Sequence, residues 1–468
     1  MRRSLIAAVA VASLAAPIAL ATAGAAAAAP LPPKAPVTDF NHDGYADLAI
    51  SAAGGPDATA PGQVSIVYGT PSGPDTAHAK TITRATPGVP GTPENGDRFG
   101  NQTAAADLDG DGYTDLVVNG GGKSVVLWGS AQGLTGEGTA ELASNGAGVT
   151  AGDFNGDGKR DLVTAEYPEP EDPMDNDDQG MTIAYGPFKR DGKAASTQQI
   201  VTSQTFGPGD FVTGDVTGDG ADDIVTSHGF EEMAHKSQLW KGGKDGVATT
   251  SQKLAPSVGG AVADVDGDGY GDFVTRDIGD SFEDMPYQKG TVLVRYGSAS
   301  GLSDRSTKIT QDTAGVPGVG EDGDEFGSSI SAGDVNGDGY ADVAVGVPGE
   351  DIESVADAGS VVLLKGSRTG LTGTGSQAFD QSKAGVPGAS EKNDKFGGQV
   401  LLSDTNKDGK ADLTVTAPLE DGAYADSGAA WHLRGSASGL TVTGITSFGP
   451  AALGAVDKGV RFGDFLAR

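Results

Sequence analysis

The apolar positions of this chain fall in short runs separated by polar, glycine-rich stretches. One set follows an aspartate: LAIS (48–51), LVVN (116–119), DIVT (223–226), DFVT (272–275) and DVAVG (342–346). A second set ends in an aromatic or basic residue and then glycine: VSIVYG (64–69), SVVLWG (124–129), MTIAYG (181–186), SQLWKG (237–242), TVLVRYG (291–297), SVVLLKG (360–366) and AAWHLRG (429–435). Tight turns such as GSAQGL (129–134), GSASGL (297–302 and 435–440) and GSRTGL (366–371) come next, and a weaker run such as STKIT (306–310) leads onward. No stretch carries a helical period. Short apolar runs bounded by glycine and polar turn residues predict β-strands.

The pattern is a repeat. A nine-residue motif, D-x-[N/D/T]-x-D-G-x-x-D, starts at Asp39, Asp107, Asp153, Asp215, Asp264, Asp334 and Asp404, at intervals of 68, 46, 62, 49, 70 and 70 residues. No interval is long enough to hold a separate domain. Each unit reads as four short strands, the form of a β-propeller blade, which buries its faces only against neighbouring blades. The expected fold is all-β, a seven-bladed propeller. Its blades are expected at about 39–84 plus 460–468, 97–141, 143–203, 205–253, 255–311, 324–382 and 394–447, within one domain, 30–468. A Phe-Gly pair stands eight residues before Asp107, Asp334 and Asp404 (Phe99, Phe326, Phe396) and recurs at Phe462-Gly463. Residues 460–468 are therefore expected to supply the first strand of blade 1 and to remove two exposed strand edges.

Composition narrows the setting. Residues 1–29 read as a secretory signal peptide: Arg2-Arg3, an apolar stretch from Leu5 to Leu20, then small residues. The chain has no cysteine, so no disulfide supports it, and no later apolar run is long enough to span a membrane. The net charge is -32, which disfavours nucleic acid and anionic membrane surfaces as partners.

Each motif offers oxygen ligands around a glycine bend, a donor set suited to Ca2+. The candidate ligands include the carbonyl at position 7 and side chains at positions 1, 3, 5 and 9. They are Asp39, Asn41, Asp43, Tyr45 and Asp47; Asp107, Asp109, Asp111, Tyr113 and Asp115; Asp153, Asn155, Asp157, Lys159 and Asp161; and Asp215, Thr217, Asp219, Ala221 and Asp223. The last three sets are Asp264, Asp266, Asp268, Tyr270 and Asp272; Asp334, Asn336, Asp338, Tyr340 and Asp342; and Asp404, Asn406, Asp408, Lys410 and Asp412. An EF-hand would need glutamate at position 12, where the chain has Ile50, Val118, Thr164, Thr226, Thr275, Val345 and Val415. These are hairpin loops. A single copy would read as a plain Asp-Asn-Gly turn; seven in one context argue for up to seven Ca2+, with Thr217 marking the weakest site.

At these residues the chain resembles the FG-GAP repeats of the integrin α-subunit propeller and of secreted bacterial proteins, over residues 35 to 468. The resemblance rests on the seven loops, on Phe-Gly at 99, 326, 396 and 462, and on VGVPGED (345–351) and VTAPLED (415–421). It implies a seven-bladed propeller with calcium in hairpin loops and a role in adhesion or ligand binding. The chain departs from it at Asn145-Gly146, at the displaced Phe206-Gly207, and before Asp264, where the pair is missing.

Antiparallel strands put the acidic loops and the GSASGL-type turns on one face. Longer loops share the other: 166–180, 228–236, 277–290, 349–359 and 419–428, with Tyr167, Phe230, Phe282, Tyr287 and Tyr424. Loops on a rigid scaffold are where binding usually lives. No nucleophile elbow or cysteine nucleophile is present, and GGGKS (120–124) joins two strands rather than a strand and a helix. His228 and His235, expected in one loop with Glu231 and Glu232, form the one candidate second metal or acid–base group. His42 is expected to face solvent and His432 to be structural. The reading is a secreted, monomeric, calcium-binding module for an extracellular protein or saccharide. The alternatives are an extracellular polymer hydrolase or lyase using carboxylates on the loop face, and an accessory propeller for another secreted protein.

Overall fold

A computed structural model describes residues 38–54, 58–143, 148–166, 179–204, 206–230, 233–281 and 283–467. The expected signal peptide, Asn145-Gly146, Tyr167 with most of the 166–180 loop, Glu231, Glu232, Phe282 and the Phe230 side chain lie outside these residues. The described chain forms seven four-stranded antiparallel sheets. Blade 6 is representative: Ile330–Gly333, Asp342–Val347, Ser360–Lys365 and Thr372–Phe379, paired in chain order. Among the described residues the elements other than strands are two short 3-10 turns, Met285–Tyr287 and Pro450–Leu453. Among the described residues no helix is long and apolar enough to cross a membrane.

The first strands of the blades touch in sequence: Gln102–Ala106, Val149–Gly152, Asp210–Gly214, Ser257–Ala263, Ile330–Gly333, Gln399–Ser403 and Phe465–Leu466, which returns to Gln102–Ala106. That circuit is a closed ring, a seven-bladed β-propeller. Closure is made by the last strand. Phe465–Leu466 pairs antiparallel with Leu48–Ala52, Ile50 facing Leu466. Gly463 N donates to Ser51 O at 2.8 Å and Ala467 N to Ala49 O at 3.0 Å.

The second strands are buried on both faces, which is why they read as unbroken apolar runs. All six residues of Asp342–Val347 are buried. The core lies between blades: Val335, Ala344 and Leu363 of blade 6 pack with Val400, Leu413 and Trp431 of blade 7. Burying apolar area in this way stabilises by about 25 cal/mol per Å², and no single blade could achieve it.

Phe99, Phe326, Phe396 and Phe462 are completely buried at these seams. Phe396 meets Trp431 edge-on at 5.1 Å between ring centroids. The main chain of each phenylalanine presses on the glycine that opens a third strand. At Gly359 (φ 86°) a Cβ would strike Phe396 O and N. The displaced Phe206 does not fill a seam in this way; it is only half-buried.

Candidate functional site

The seven acidic loops share one geometry. In blade 6 the loop joins Ile330–Gly333 to Asp342–Val347. Asp334 Oδ2 accepts from Gly339 N at 2.9 Å, Asp334 Oδ1 from Asp338 N at 3.2 Å, and Asp338 Oδ1 from Tyr340 N at 3.0 Å. The bond from the position 6 glycine to the position 1 aspartate recurs in all seven loops at 2.8–2.9 Å. Position 4 also has positive φ throughout: glycine in five loops, His42 (57°) and Lys407 (60°) in the other two. His42 is exposed there, its ring 5.5 Å from that of Tyr113.

The loops fasten neighbouring blades together. The position 8 amide of one loop donates to the position 1 carbonyl of the loop before it: Thr114 to Asp39 (3.0 Å), Asp222 to Asp153 (2.7 Å), Gly271 to Asp215 (3.0 Å), Ala341 to Asp264 (3.0 Å) and Ala411 to Asp334 (2.8 Å).

The position 9 aspartates have a structural task that the spacing did not reveal. All seven are at most 1% exposed. Asp272 Oδ2 accepts from Val265 N at 3.0 Å and Oδ1 from Gly297 N at 2.9 Å, tying the loop to the end of the third strand. Asp47, Asp115, Asp161 and Asp223 repeat the pair. In blade 6, Lys365 Nζ meets Asp342 at 2.9 Å; in blade 7, Thr405 Oγ1 and Asn406 Nδ2 donate to Asp412. Burial pushes Asp47, Asp115, Asp223 and Asp272 up to about 7. Asp412 is desolvated too, but the nearby His432, 3.7 Å away, and the hydrogen bond from Thr405 outweigh burial and hold it below its usual value. The glycine ending every third strand was visible in the sequence as the signal for this clamp. A Cβ at Gly366 would strike Ala341 O.

Two loops bring three carboxylates together, with oxygens within 4.8 Å of one another: Asp107, Asp109 and Asp115, and Asp264, Asp266 and Asp268. The position 3 oxygens bear on whether these loops suit a cation. Thr217 Oγ1, Asp266 Oδ1 and Asn406 Oδ1 are buried and lack any hydrogen-bond partner, a costly state for a polar atom. A hard cation would satisfy them, so the donor set fits. Basic side chains already reach some of these groups. Arg190 contacts Asp109 and Asp111, and Arg305 contacts Asp266.

On the opposite face, the 228–236 segment is not the expected loop. Strands Asp223–Phe230 and Met233–Trp240 run through it, with His228 directly opposite His235. His228 is 2% exposed. Its Nδ1 bonds Phe206 O and its Nε2 bonds Thr226 Oγ1, both at 2.8 Å. Burial holds it down to about 4. It is a neutral core histidine, bound on both nitrogens, and the backbone prefers the continued ladder to a loop. His432 is likewise buried, between Thr405 and Thr414. Tyr287 and Tyr424 are exposed. Beside Tyr424 a cleft of about 360 Å³ is lined by Trp431, Phe448, Pro450, Glu420, Asp421 and Asp457.

Residues 34–67, 326–364 and 396–433 match the FG-GAP repeat, and residues 107–164 match the FG-GAP-like repeat. The chain carries FG-GAP repeats. Relatives include the phosphatidylinositol-glycan-specific phospholipase D of Rattus norvegicus, 29% identical over 162 residues, which are 35% of this chain and 18% of that protein. Integrin alpha pat-2 of Caenorhabditis briggsae is 28% identical over 270 residues, 53% of this chain and 20% of that protein. The FG-GAP chain thus spans about a fifth of the length of these curated relatives. The solved structure of an Agrocybe aegerita protein that recognises non-reducing terminal N-acetylglucosamine aligns with 74% of this chain and 83% of its own. Its identity is 15% and its TM-score 0.38, too loose to carry anything over.

Proposed function

We propose that this FG-GAP propeller is a secreted extracellular ligand-binding or adhesion module whose acidic loops hold Ca2+ for structural reasons. One observation carries the reading: the two faces differ in how far their groups are committed. The acidic loops are locked into inter-blade bonds, and three of them leave a buried position 3 oxygen without a partner. Side chains at positions 1, 3, 5 and 9 and the position 7 carbonyl would hold the ion, as set out for each loop above. The bound cation would neutralise carboxylates that otherwise repel one another. Seven Ca2+ would bring the formal charge from -32 to -18.

The other face offers exposed Tyr287 and Tyr424 and the cleft over Trp431 and Phe448 with its acidic rim. An apolar floor with a few polar groups suits a saccharide or a protein side chain. The chain's similarity to an integrin α and to a phospholipase D supports an extracellular setting.

The test has two arms. Thermal unfolding in chelator and in millimolar Ca2+ should give clearly different midpoints; coincident midpoints would remove the calcium reading. A saccharide and extracellular-protein array should then yield a ligand whose binding weakens in Tyr424→Ala. Binding indifferent to that change would place the ligand elsewhere.

A further inference from the structure

Three seams between blades repeat one 19-residue sequence without gaps: ITRATPGVPGTPENGDRFG (82–100), ITQDTAGVPGVGEDGDEFG (309–327) and FDQSKAGVPGASEKNDKFG (379–397). They lead from the last strand of one blade to the first of the next, on the face away from the acidic loops. At the first seam, Arg84 occupies the third position and is 7% exposed. Its guanidinium donates to Pro90 O (2.8 Å) and Gly120 O (2.6 Å) and lies 3.9 Å from Asp97. A positive group thus fills the pocket beside the buried carboxylate.

At the other two seams the arginine is replaced by Gln311 and Gln381, 3% and 2% exposed. Asp324 and Asp394 stand where Asp97 does and keep its turn: each carboxylate accepts the amide three residues before it, as Asp97 does from Glu94. A further acid enters from the next blade. Gln311 Nε2 meets Glu350 Oε2 at 2.5 Å, and Gln381 Nε2 meets Glu420 Oε2 at 2.6 Å. The place is the same in all three. The aligned glycines Gly91, Gly318 and Gly388 face Arg84, Gln311 and Gln381 respectively.

Two observations mark the second and third seams as incomplete. The carboxamide oxygens of Gln311 and Gln381 are buried and have no hydrogen-bond partner. The charges also do not balance. Arg84 with Asp97 sums to zero; Asp324 with Glu350, and Asp394 with Glu420, each sum to -2. Lys289 stands near Asp324, bound to Gly320 O at 2.6 Å, but so do the acids Glu321 and Asp351, and Glu391 and Asp421 flank Asp394, so both seams stay net acidic.

We propose that these two seams each bind one hard divalent cation of the Ca2+ class. The ligands are Gln311, Asp324 and Glu350 at one seam and Gln381, Asp394 and Glu420 at the other, and the ion takes the place that the Arg84 guanidinium fills at the first. One divalent ion offsets each of these two acid pairs. With the ion present the carboxamide turns its oxygen inward, which removes the orphaned acceptor. All three side chains are oxygen donors, as such an ion requires. The site stitches two blades together on the face opposite the acidic loops, and it does not depend on those loops holding metal.

The test counts metal. The exported chain is dialysed against millimolar Ca2+ and Mg2+, and bound metal per chain is measured by inductively coupled plasma mass spectrometry. Two variants are compared with the parent: E350Q/E420Q, which keeps shape and removes charge, and Q311R/Q381R, which installs the arrangement of the first seam. Each should bind two fewer divalent ions per chain. An unchanged count in E350Q/E420Q overturns the proposal; should Q311R/Q381R fail to fold, that first variant alone decides. Failure of the acidic-loop reading looks different: the parent would hold two ions and both variants none.

Discussion

Removing the Phe462 side chain should open the ring. Phe462 is completely buried, packed with Leu48, Ile50, Ala430 and Leu466 and set at 6.2 Å, ring to ring, from Phe448. A buried phenylalanine withdraws on the order of 200 Å² from water, so by area alone Phe462→Ala costs at most about 5 kcal/mol. Truncations of this type cost about 3–5 kcal/mol once the cavity is included. For the 407 described residues the unfolding entropy is about 0.9 kcal/mol/K, so the midpoint should fall by about 3–6 K. Phe326→Ala serves as the control, because Phe326 is equally buried but sits at a seam crossed by continuous chain. Both should lose similar stability in calorimetry. Only Phe462→Ala should release the closing strand, which is otherwise held by the Phe465–Leu466 pairing and the Gly463 and Ala467 bonds. Carboxypeptidase digestion followed by mass spectrometry reads that release. If the tail of Phe462→Ala stays as protected as in the parent, Phe462 is not what secures closure.

Three further outcomes follow from the geometry. Gly366→Ala drives a Cβ into Ala341 O and loosens the Gly366 N bond to Asp342; denaturant titration should show a loss of about 1–3 kcal/mol, and a change under about 0.5 kcal/mol would contradict the close packing. For His228, burial lowers the folded pKa from 6.5 to about 4, so its stabilisation is full above 6.5 and is lost as pH falls through 4. The parent should therefore lose about 3 kcal/mol more than His228→Gln between pH 7 and 4, and parallel stability curves would refute this. Thr217→Asp puts a fourth carboxylate at the ligand positions of the blade 4 loop, where Thr217 Oγ1 has no partner; it should lower the melting midpoint in chelator and raise it in Ca2+, and the same sign in both would count against a cation there.

The repeat, the strand runs and the Phe-Gly spacing were enough to name the fold and its closure, because each is local. A nine-residue loop bends the same way wherever it occurs, and apolar runs of this length cannot be buried within one blade. Even the structural glycines could have been found, since every third-strand run ends in one. The candidate site was legible only as a set of donors. That position 9 is shared between the loop and the third-strand glycine, that Arg190 and Lys365 reach particular carboxylates, and that His228 faces His235 across a ladder all depend on groups distant in the chain. The same holds for the three Phe-Gly seams. Arg84, Gln311 and Gln381 align on paper, but only packing brings Glu350 and Glu420 against the glutamines. Sequence alone determined a ring of seven blades with acidic turns on one face. Tertiary structure decided which of those charges are paired, because burial and neighbour identity, unlike turn geometry, belong to the assembled blades.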